Sequence, residues 1–523
     1  METNDLDVLI IGAGLSGIGA ARHLQQNCPD KSYAIIEARA AMGGTWDLFR
    51  YPGIRSDSDM YTLGYNFKPW TLPRSIADGP SIRDYIRATA VENGIDRHIR
   101  YQTRLVHADW SGSRKMWTVT LRDGQGQESQ MRCNFLLMCT GYYDYAAGYT
   151  PEFPGVQNYQ GQLIHPQHWP EQLDYRGKKV VIIGSGATAV TLVPAMAEQA
   201  AHVTMLQRSP SYVVSVPRED HLSNALRKVL PEKLVYRLAR TRNVGLQQAF
   251  YKLSRAQPTL VRRLLLAQVR HHVGRDFDMQ HFSPRYKPWD ERLCAVPDGD
   301  LFAVLCSGRA SVVTDQIDSF TAEGLRLASG KTLAADIVVT ATGLQLQMMG
   351  GTSLSIDGRS VDMARTMNYK GVMFRDIPNL AMVFGYTNAS WTLKADLSAE
   401  YVCRLLRRMD QLAVRVATPR NHDPKVQERP FLEMASGYVQ RALARFPRQG
   451  SKAPWRVYQN YALDLMTLRY APIEDGCMEL SGPRSVSHTV VVSEAGVSEQ
   501  EARLAAKPRA ARKRAPKKAL PAT

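Results

Sequence analysis

The sequence predicts an α/β protein with two Rossmann-like dinucleotide-binding domains and a helical insertion. Two glycine-rich segments indicate this fold: the first loop, Gly12–Gly17 (GAGLSG), and the second loop, Gly184–Ala189 (GSGATA). An apolar run precedes each loop, Val8–Ile11 and Val180–Ile183, as expected of a strand that leads into a turn and a helix. Glycine is needed at such a turn because the backbone must approach a pyrophosphate closely at the N-terminus of the helix.

The residue that follows the second strand of each unit indicates which nucleotide is bound. In the first unit Glu37 ends the apolar segment 32–36, and a carboxylate there accepts hydrogen bonds from ribose hydroxyls. This pattern favours FAD or NAD. In the second unit Arg208 and Ser209 follow the strand, and an arginine fork can pair with a 2'-phosphate. The second loop is therefore predicted to bind NADPH.

Length and composition describe a globular protein with more than one domain. The chain has 523 residues, of which 44% are hydrophobic and 22% are charged, so two or three domains are expected. The acidic N-terminus runs directly into a strand, and we expect neither a signal peptide nor a membrane span. The seven cysteines form no Cys-x-x-Cys pair, which favours free thiols in a reducing compartment and a cytoplasmic location.

The net charge of +17 is concentrated partly in a basic C-terminal tail, residues 491–523. Eight basic residues and no acidic residue lie between Arg503 and Lys518 in an Ala/Pro background. Such a segment is expected to be disordered and to act mainly as a solubilising end. A weak peripheral contact with an anionic membrane, or with RNA, is the alternative, and no specific nucleic acid is expected.

The spacing of the strands predicts a discontinuous FAD-binding domain, residues 1–145 and 341–490, around an NADPH-binding domain, residues 146–340. A basic helical insertion is expected at about residues 218–288. Its apolar residues recur at helical spacing and are expected to pack on the body of the protein, with a membrane-surface helix as the alternative. This apolar stripe is Leu226, Val229, Leu230, Leu234 and Leu238, and the cations expected on the polar side are Arg227, Lys228, Lys233, Arg237 and Arg240.

A tryptophan-containing segment lies beside each loop. Residues 159–170 read YQGQLIHPQHWP and resemble the fingerprint of type I Baeyer–Villiger monooxygenases, Phe-x-Gly-x3-His-x3-Trp-Pro, with Tyr159 in place of phenylalanine. Residues 43–57 read GGTWDLFRYPGIRSD and match the second signature of that family at every fixed position. The resemblance extends to about residue 480. It implies an FAD- and NADPH-dependent enzyme that uses O2 to convert ketones into esters and that also oxidises sulfur compounds.

The resemblance also implies the catalytic residues. In this family reduced flavin takes up O2 as a C4a-peroxide, which needs a fixed cation beside it before it attacks a carbonyl group. Arg292 matches the family arginine in this role, and Asp57 matches the carboxylate that orients the arginine. Alternatively, Arg292 and Asp57 form an ordinary surface ion pair, which would contribute little to stability. His165 and Trp169 match residues that couple domain motion to NADPH binding, and no metal site is expected.

The cofactor contacts follow from the loops and the signatures together. The predicted FAD contacts are Gly12, Gly14, Ser16, Gly17, Glu37, Gly44, Thr45, Trp46 and Asp57. The predicted NADPH contacts are Gly184, Gly186, Thr188, Ala189, Arg208 and Ser209. Trp391 and Trp455 are candidates for the wall of a substrate pocket, with core packing expected for at least one of them.

Three other functions share part of this pattern. A flavin monooxygenase restricted to heteroatoms would carry both loops without the complete Trp169 and Asp57 signatures. A disulfide reductase would need a redox cysteine pair, which the sequence lacks. The alternative outside enzymes is a flavin-fold binding protein whose basic tail binds nucleic acid, against which Arg292, Asp57 and Arg208 argue.

Overall fold

Each glycine loop lies between a strand and a helix of the computed structural model, which describes residues 5–483. The strands are β1 (Leu6–Ile11), β2 (Tyr33–Ile36), β3 (Ile99–Arg100), β4 (Thr103–Ser111), β5 (Met116–Asp123), β6 (Glu128–Met138), β7 (Tyr143–Gly148), β8 (Gln162–Ile164), β9 (Lys179–Ile183), β10 (His202–Gln207), β11 (Val213–Val216), β12 (Cys294–Pro297), β13 (Ala310–Thr314), β14 (Ile317–Thr321), β15 (Gly324–Leu327), β16 (Thr332–Ala334), β17 (Ile337–Thr340), β18 (Leu344–Leu346), β19 (Ser353–Ile356), β20 (Arg359–Ser360), β21 (Asn368–Tyr369), β22 (Met373–Phe374), β23 (Leu380–Met382), β24 (Val414–Pro419), β25 (Glu428–Pro430), β26 (Arg448–Gly450) and β27 (Met478–Pro483). The α-helices are α1 (Leu15–Asn27), α2 (Thr45–Leu48), α3 (Met60–Leu63), α4 (Gly79–Glu92), α5 (Ala187–Met196), α6 (His221–Leu226), α7 (Glu232–Ala256), α8 (Pro258–Val273), α9 (Asp300–Cys306), α10 (Trp391–Gln411), α11 (Gly437–Ala442) and α12 (Tyr461–Asp464). The predicted tail, residues 491–523, lies outside the described residues.

The larger sheet carries the first loop. It has eleven strands among the described residues, in the order β20-β19-β4-β5-β6-β1-β2-β3, and β23, β22 and β21 continue from β6. Strand β1 pairs in parallel with both β2 and β6. Val8, Leu9 and Ile10 are fully buried, as expected for a central parallel strand covered on both faces.

The smaller sheet carries the second loop. It has five strands, all parallel, in the order β13-β10-β9-β17-β8. Two antiparallel strands connect the sheets: β7 leaves the larger sheet after β6, and β18 returns to it after β17. The prediction of an α/β fold with two dinucleotide-binding units is confirmed, whereas the exact boundaries of the two domains remain a prediction.

Close backbone contacts explain the first glycine of each loop. Gly12 has a φ of +105°, and a Cβ there would lie 2.6 Å from the carbonyl oxygen of Cys139. Gly184 has a φ of +141°, and its Cβ would lie 2.3 Å from the carbonyl oxygen of Ala341. Any side chain would therefore push the loop away from the neighbouring strand end.

The helical insertion is present as α6, α7 and α8, but the prediction of its buried face was wrong. Leu234 and Leu238 are 44% and 49% exposed, whereas the neighbouring Val235, Tyr236 and Ala239 are buried. Two of the cations expected on the polar side instead face the body. Arg227 donates to the carbonyl oxygen of Trp70, and Arg240 donates to those of Tyr61 and Gly64. These two arginines face inward because the body supplies acceptors for them, whereas Lys228, Lys233 and Arg237 are exposed as predicted.

Residues 5–482 form one compact unit. Its apolar interior is divided by the sheets, with the largest buried cluster between α1, α4, α10 and the larger sheet. No helix among residues 5–483 has the length and apolar character needed to cross a lipid bilayer.

Candidate active site

A cavity of about 580 Å³ lies between the first loop, the segment 43–58, the N-terminal part of α5 and the segment before β12. Ten of the predicted site residues line it: Gly12, Gly14, Ser16, Glu37, Gly44, Thr45, Trp46, Asp57, Thr188 and Arg292. Six do not belong to its lining: Gly17, Gly184, Gly186, Ala189, Arg208 and Ser209. The cavity therefore unites most of the predicted FAD contacts with Arg292, which is distant in sequence.

Glu37 closes the first dinucleotide unit at the end of β2. Its Oε2 accepts a hydrogen bond of 2.7 Å from the backbone N–H of Ala13, and its Oε1 accepts one of 2.9 Å from that of Arg39. Burial raises the pKa of Glu37, although these amide hydrogen bonds oppose the shift. The carboxylate is thus fixed beside the first loop, where it can also accept from ribose hydroxyls.

Ion pairs of the buried Asp47 stabilise the segment that carries Gly44, Thr45 and Trp46. Asp47 is 2% exposed and lies 2.8 Å from Nη2 of Arg39. Arg50 and Arg87 lie near its other oxygen, at 3.5 and 3.7 Å. Cations on several sides compensate the cost of burying this charge, and the pairing fixes helix α2 against the segment that follows Glu37.

Arg292 reaches the cavity from the segment before β12. Its Nε is buried and has no hydrogen-bond partner among the described residues. Tyr142 first, then Tyr438, Tyr143 and Asp57, raise the pKa of Arg292 well above its usual range, although burial opposes this. A buried, charged donor without a partner fits an anionic or carbonyl ligand in the cavity.

Asp57 also lines the cavity, but it does not form an ion pair with Arg292. Among the described residues no acidic oxygen lies within 4.0 Å of the Arg292 guanidinium. Burial raises the pKa of Tyr142 and Tyr143, so these phenols stay neutral at physiological pH. Asp57 is therefore the carboxylate whose charge acts on Arg292 across the cavity, and its orienting role remains a prediction.

Aromatic side chains form a wall of the cavity beside the first loop. The rings of Tyr142 and Trp391 stack with centroids 5.3 Å apart and an interplanar angle of 16°. Trp391 also donates its indole N–H to the Ser16 hydroxyl over 2.7 Å. Trp455, in contrast, is 1% exposed and packs against Tyr369 in the core. Of the two tryptophans considered from the sequence, only Trp391 lines the cavity.

The second loop and the end of β10 form the predicted NADPH site. Ser185 donates its hydroxyl to the carbonyl oxygen of Ser209 over 2.9 Å, which joins the loop to the strand end. Arg208 and Ser209 are exposed there. Burial and Asp290 raise the pKa of Glu291, while the charge of Arg208 lowers it. Arg208 thus lies within electrostatic reach of the segment that carries Arg292.

His165, the histidine of the fingerprint, contacts strand β7 and the residue that precedes β18. Its ring packs on Gly148, the last residue of β7, where a Cβ would lie 1.9 Å from Cε1 of His165. Its Nε2 lies 3.2 Å from the carbonyl oxygen of Gly343, the residue before β18. His168 contacts the carbonyl oxygen of Ala146 at 3.1 Å. No cluster of His, Cys, Asp or Glu suited to a metal ion occurs among residues 5–483.

Several lining residues were not predicted as site residues. Tyr142 and Tyr143 directly follow the strand-end sequence Thr140-Gly141, so their position could have indicated a role. Arg55 lines the cavity and binds Asp300 of α9 through both terminal nitrogens. No local pattern marks Arg55, because its partner comes from another part of the chain.

The sequence and the fold are similar to those of known flavoproteins. A family described as flavin-binding monooxygenase-like matches residues 69–269, and an NAD(P)-binding Rossmann-like domain matches residues 10–69. The chain is 53% identical to the FAD-containing monooxygenase EthA of Mycobacterium tuberculosis, over 90% of this chain and 97% of EthA. It is 51% identical to EthA of Mycolicibacterium smegmatis, over 92% of this chain and 98% of that protein.

Among solved structures, the fold resembles that of an oxidised steroid monooxygenase bound to NADP. The TM-score is 0.71 at 21% identity, over 92% of this chain and 100% of the other. This likeness concerns the fold, whereas identity above half of the aligned residues over nearly the whole length establishes the family. The chain belongs to the FAD-containing monooxygenases.

Proposed function

We propose that this monooxygenase carries out Baeyer–Villiger oxidation, the conversion of a ketone into an ester with NADPH and O2, and that it also oxidises sulfur compounds. The observation that carries the proposal is the position of Arg292 in the wall of the cavity that the first loop and Asp57 share. The sequence signatures around Asp57 and Trp169 support the same reaction.

The residues around the cavity fit FAD. The first loop offers its backbone N–H groups at the N-terminus of α1, Glu37 offers carboxylate oxygens, and Trp46 offers an aromatic face. We assign the flavin contacts to Gly12, Gly14, Ser16, Gly17, Glu37, Gly44, Thr45, Trp46 and Asp57. When bound, FAD accepts hydride from NADPH and reacts with O2.

The second loop fits a dinucleotide whose 2'-phosphate needs a cation. We assign the NADPH contacts to Gly184, Gly186, Thr188, Ala189, Arg208 and Ser209. Arg208 provides a forked donor and Ser209 a hydroxyl at the end of β10. Thr188 lines the cavity itself, which connects the NADPH side with the flavin side.

The side chains around the cavity contribute to the reaction mainly through electrostatic stabilisation. Oxygen insertion into a ketone places negative charge on oxygen atoms in the cavity, and Arg292 stabilises that charge because its own charge is permanent and already in position. Asp57 acts on Arg292 across the cavity. The aromatic wall of Tyr142 and Trp391 excludes water from the reacting atoms.

The substrate is proposed to be a small ketone or sulfur compound. A cytoplasmic location and a weak contact of the basic tail with an anionic membrane complete the proposal. Membership of the monooxygenase family argues against a binding protein without catalysis. An experiment must distinguish Baeyer–Villiger oxidation from a reaction restricted to heteroatoms.

The test is reduction of the protein by NADPH without oxygen, followed by mixing with ¹⁸O2 and either a simple ketone such as 2-octanone or a thioether. The expected result is bleaching of the flavin absorbance, followed by formation of one ester molecule for each NADPH consumed. Each ester molecule should contain one ¹⁸O atom. Sulfoxide without any ester would establish the heteroatom-only reaction instead. Failure of NADPH to bleach the flavin would contradict the proposal as a whole.

A further inference from the structure

The outer face of helices α7 and α8 is rich in exposed leucines. We call it the leucine–cation face, and its apolar members are Leu234, Leu238, Leu246, Leu253, Leu260 and Leu264. They are between 41% and 62% exposed. On a surface helix this side normally carries polar residues, since only the inner stripe is buried. Exposed leucines that recur at helical spacing on a surface helix indicate a surface that contacts a partner.

Helix geometry places Leu234 and Leu238 on the side of α7 opposite its buried residues. Leu234 and Leu238 are four residues apart and lie on one side, whereas Tyr236 and Ala239 lie on the other and are buried. In α8 the exposed Leu260 and Leu264 repeat this spacing. Leu234, Leu238, Leu260 and Leu264 are therefore directed outward by the same periodicity that places the buried residues of each helix against the body.

The face is strongly basic. The segment from His221 to Val273 has eleven Lys and Arg residues and one acidic residue, Glu232, which pairs with Arg227 at 3.1 Å. Five of the cations are exposed and have no ion-pair partner among residues 5–483. They are Lys228, Lys233, Arg237, Lys252 and Arg263.

We propose that the leucine–cation face docks on an anionic membrane surface. Leucine side chains enter the boundary between headgroups and acyl chains, and the interspersed Lys and Arg side chains contact the anionic headgroups. A second copy of this chain is disfavoured, because unpaired cations would meet unpaired cations. A nucleic acid would pair with the cations but leave the leucines in water.

The inner side of α7 connects this face to the candidate active site. Asn243 and Gln247 donate to the carboxylate of Asp59 over 2.9 and 3.1 Å. Asp59 caps α3 and is two residues from Asp57, which lines the cavity. Polar contacts thus hold α7 against the body and leave its leucines exposed.

The test is co-sedimentation of the full chain with vesicles of phosphatidylcholine alone or of equal parts phosphatidylcholine and phosphatidylglycerol. The key variant is Leu234→Gln/Leu238→Gln, which changes no charge, and its matched control is Leu412→Gln/Leu463→Gln, at leucines exposed elsewhere by 39% and 45%. We expect wild type and control to bind the anionic vesicles equally. The key variant should bind at least about tenfold more weakly, since leucine burial drives interfacial binding.

A second variant, Lys233→Gln/Arg237→Gln, is expected to bind the same vesicles at least about tenfold more weakly, because each cation near an anionic surface strengthens binding severalfold. Far-UV circular dichroism and flavin content verify that each variant is folded. Equal binding of wild type and the Leu234→Gln/Leu238→Gln variant would overturn the proposal and assign the contact to the basic tail. Absence of vesicle binding by the full chain would also overturn the proposal. So would a wild-type dimer that the Leu234→Gln/Leu238→Gln change dissociates and the control change does not, because the face would then bind a second copy of the chain.

Discussion

Trp391 donates its indole N–H to the hydroxyl of Ser16 over 2.7 Å, and this bond joins the N-terminus of α10 to the first turn of α1. Both residues line the cavity. The bond therefore fixes the aromatic wall relative to the first loop, although the partners are 375 residues apart.

Trp391→Phe keeps an aromatic ring against Tyr142 and removes the hydrogen bond to Ser16. Because a neutral hydrogen bond contributes about 0.5–1.5 kcal/mol, FAD affinity is expected to fall about two- to tenfold. The measurement is fluorescence titration of the apoprotein with FAD. Trp455→Phe is the control, since Trp455 is buried away from the cavity; this change should lower Tm and leave FAD affinity unchanged. Equal FAD affinity in Trp391→Phe and wild type would contradict the prediction.

Local sequence predicted the dinucleotide units well because short apolar runs and glycines suffice to define them. The runs Val8–Ile11 and Val180–Ile183 lie within β1 and β9, and both loops follow those strands directly. Contacts between distant segments were not accessible in this way. The periodicity of α7 predicted a helix but not its buried face, because Asp396 and the body carbonyls that accept from Arg240 belong to remote parts of the chain.

Arg292→Ala is expected to leave anaerobic flavin reduction by NADPH within a few-fold of wild type and to lower ester formation at least about 100-fold, because a preorganised donor is lost. Arg292→Lys should retain a small part of the activity, since lysine restores the charge without the planar fork. Gas chromatography of the ester from 2-octanone measures both. Arg285→Ala changes an exposed arginine nearby in sequence and should not alter the rate. Ester formation at the wild-type rate in Arg292→Ala would remove Arg292 from the mechanism.

Arg208→Ala is expected to raise the KM for NADPH about 10- to 100-fold, since a charged hydrogen bond contributes about 1.5–3 kcal/mol. The KM for NADH should change little, because NADH lacks the 2'-phosphate. Steady-state NAD(P)H oxidation measures both constants. Arg176→Ala is the matched control, since the Arg176 side chain is 76% exposed and is paired with Asp174. Equal changes for NADPH and NADH would place the 2'-phosphate elsewhere.

The contacts of His165 make the stability pH-dependent. Its Nδ1 accepts from the backbone N–H of Gln167 over 3.2 Å, so protonation of Nδ1 removes this bond. Burial lowers the pKa of His165 from 6.5. A lowered folded-state pKa means that this contribution to stability is present above the unfolded value and is lost as pH falls through the folded value.

His165→Asn is therefore expected to weaken the decline of Tm between pH 7 and pH 5 relative to wild type, whereas His221→Asn, at an exposed histidine, should leave that decline unchanged. Differential scanning fluorimetry at matched ionic strength gives the two slopes. Identical slopes for His165→Asn and wild type would show that protonation of His165 does not affect the fold.

A buried ion pair holds the long helix α7 to the body. Asp396 is 3% exposed, and its carboxylate lies 3.3 Å from Nη2 of Arg240 and 3.1 Å from Nε2 of His23. It also accepts a hydrogen bond of 3.0 Å from the backbone N–H of Asn66. Asp396→Asn removes the negative charge while keeping an oxygen for Asn66. Arg240 then remains buried without its counter-charge, which costs about 3–5 kcal/mol when one partner of a buried pair is removed.

The expected result for Asp396→Asn is a loss of about 3–5 kcal/mol in the free energy of unfolding, measured by urea titration followed by far-UV circular dichroism. The exposed pair Arg122–Glu128, with side chains 52% and 49% exposed, provides the control. Glu128→Gln should cost at most about 1 kcal/mol, because exposed pairs are solvated and screened. Limited proteolysis locates the effect, since cleavage within α7 should increase only in Asp396→Asn. Equal small losses in both variants would mean that Arg240 finds sufficient acceptors in the carbonyl oxygens of Tyr61 and Gly64, and that Asp396 is not what holds the helix in place.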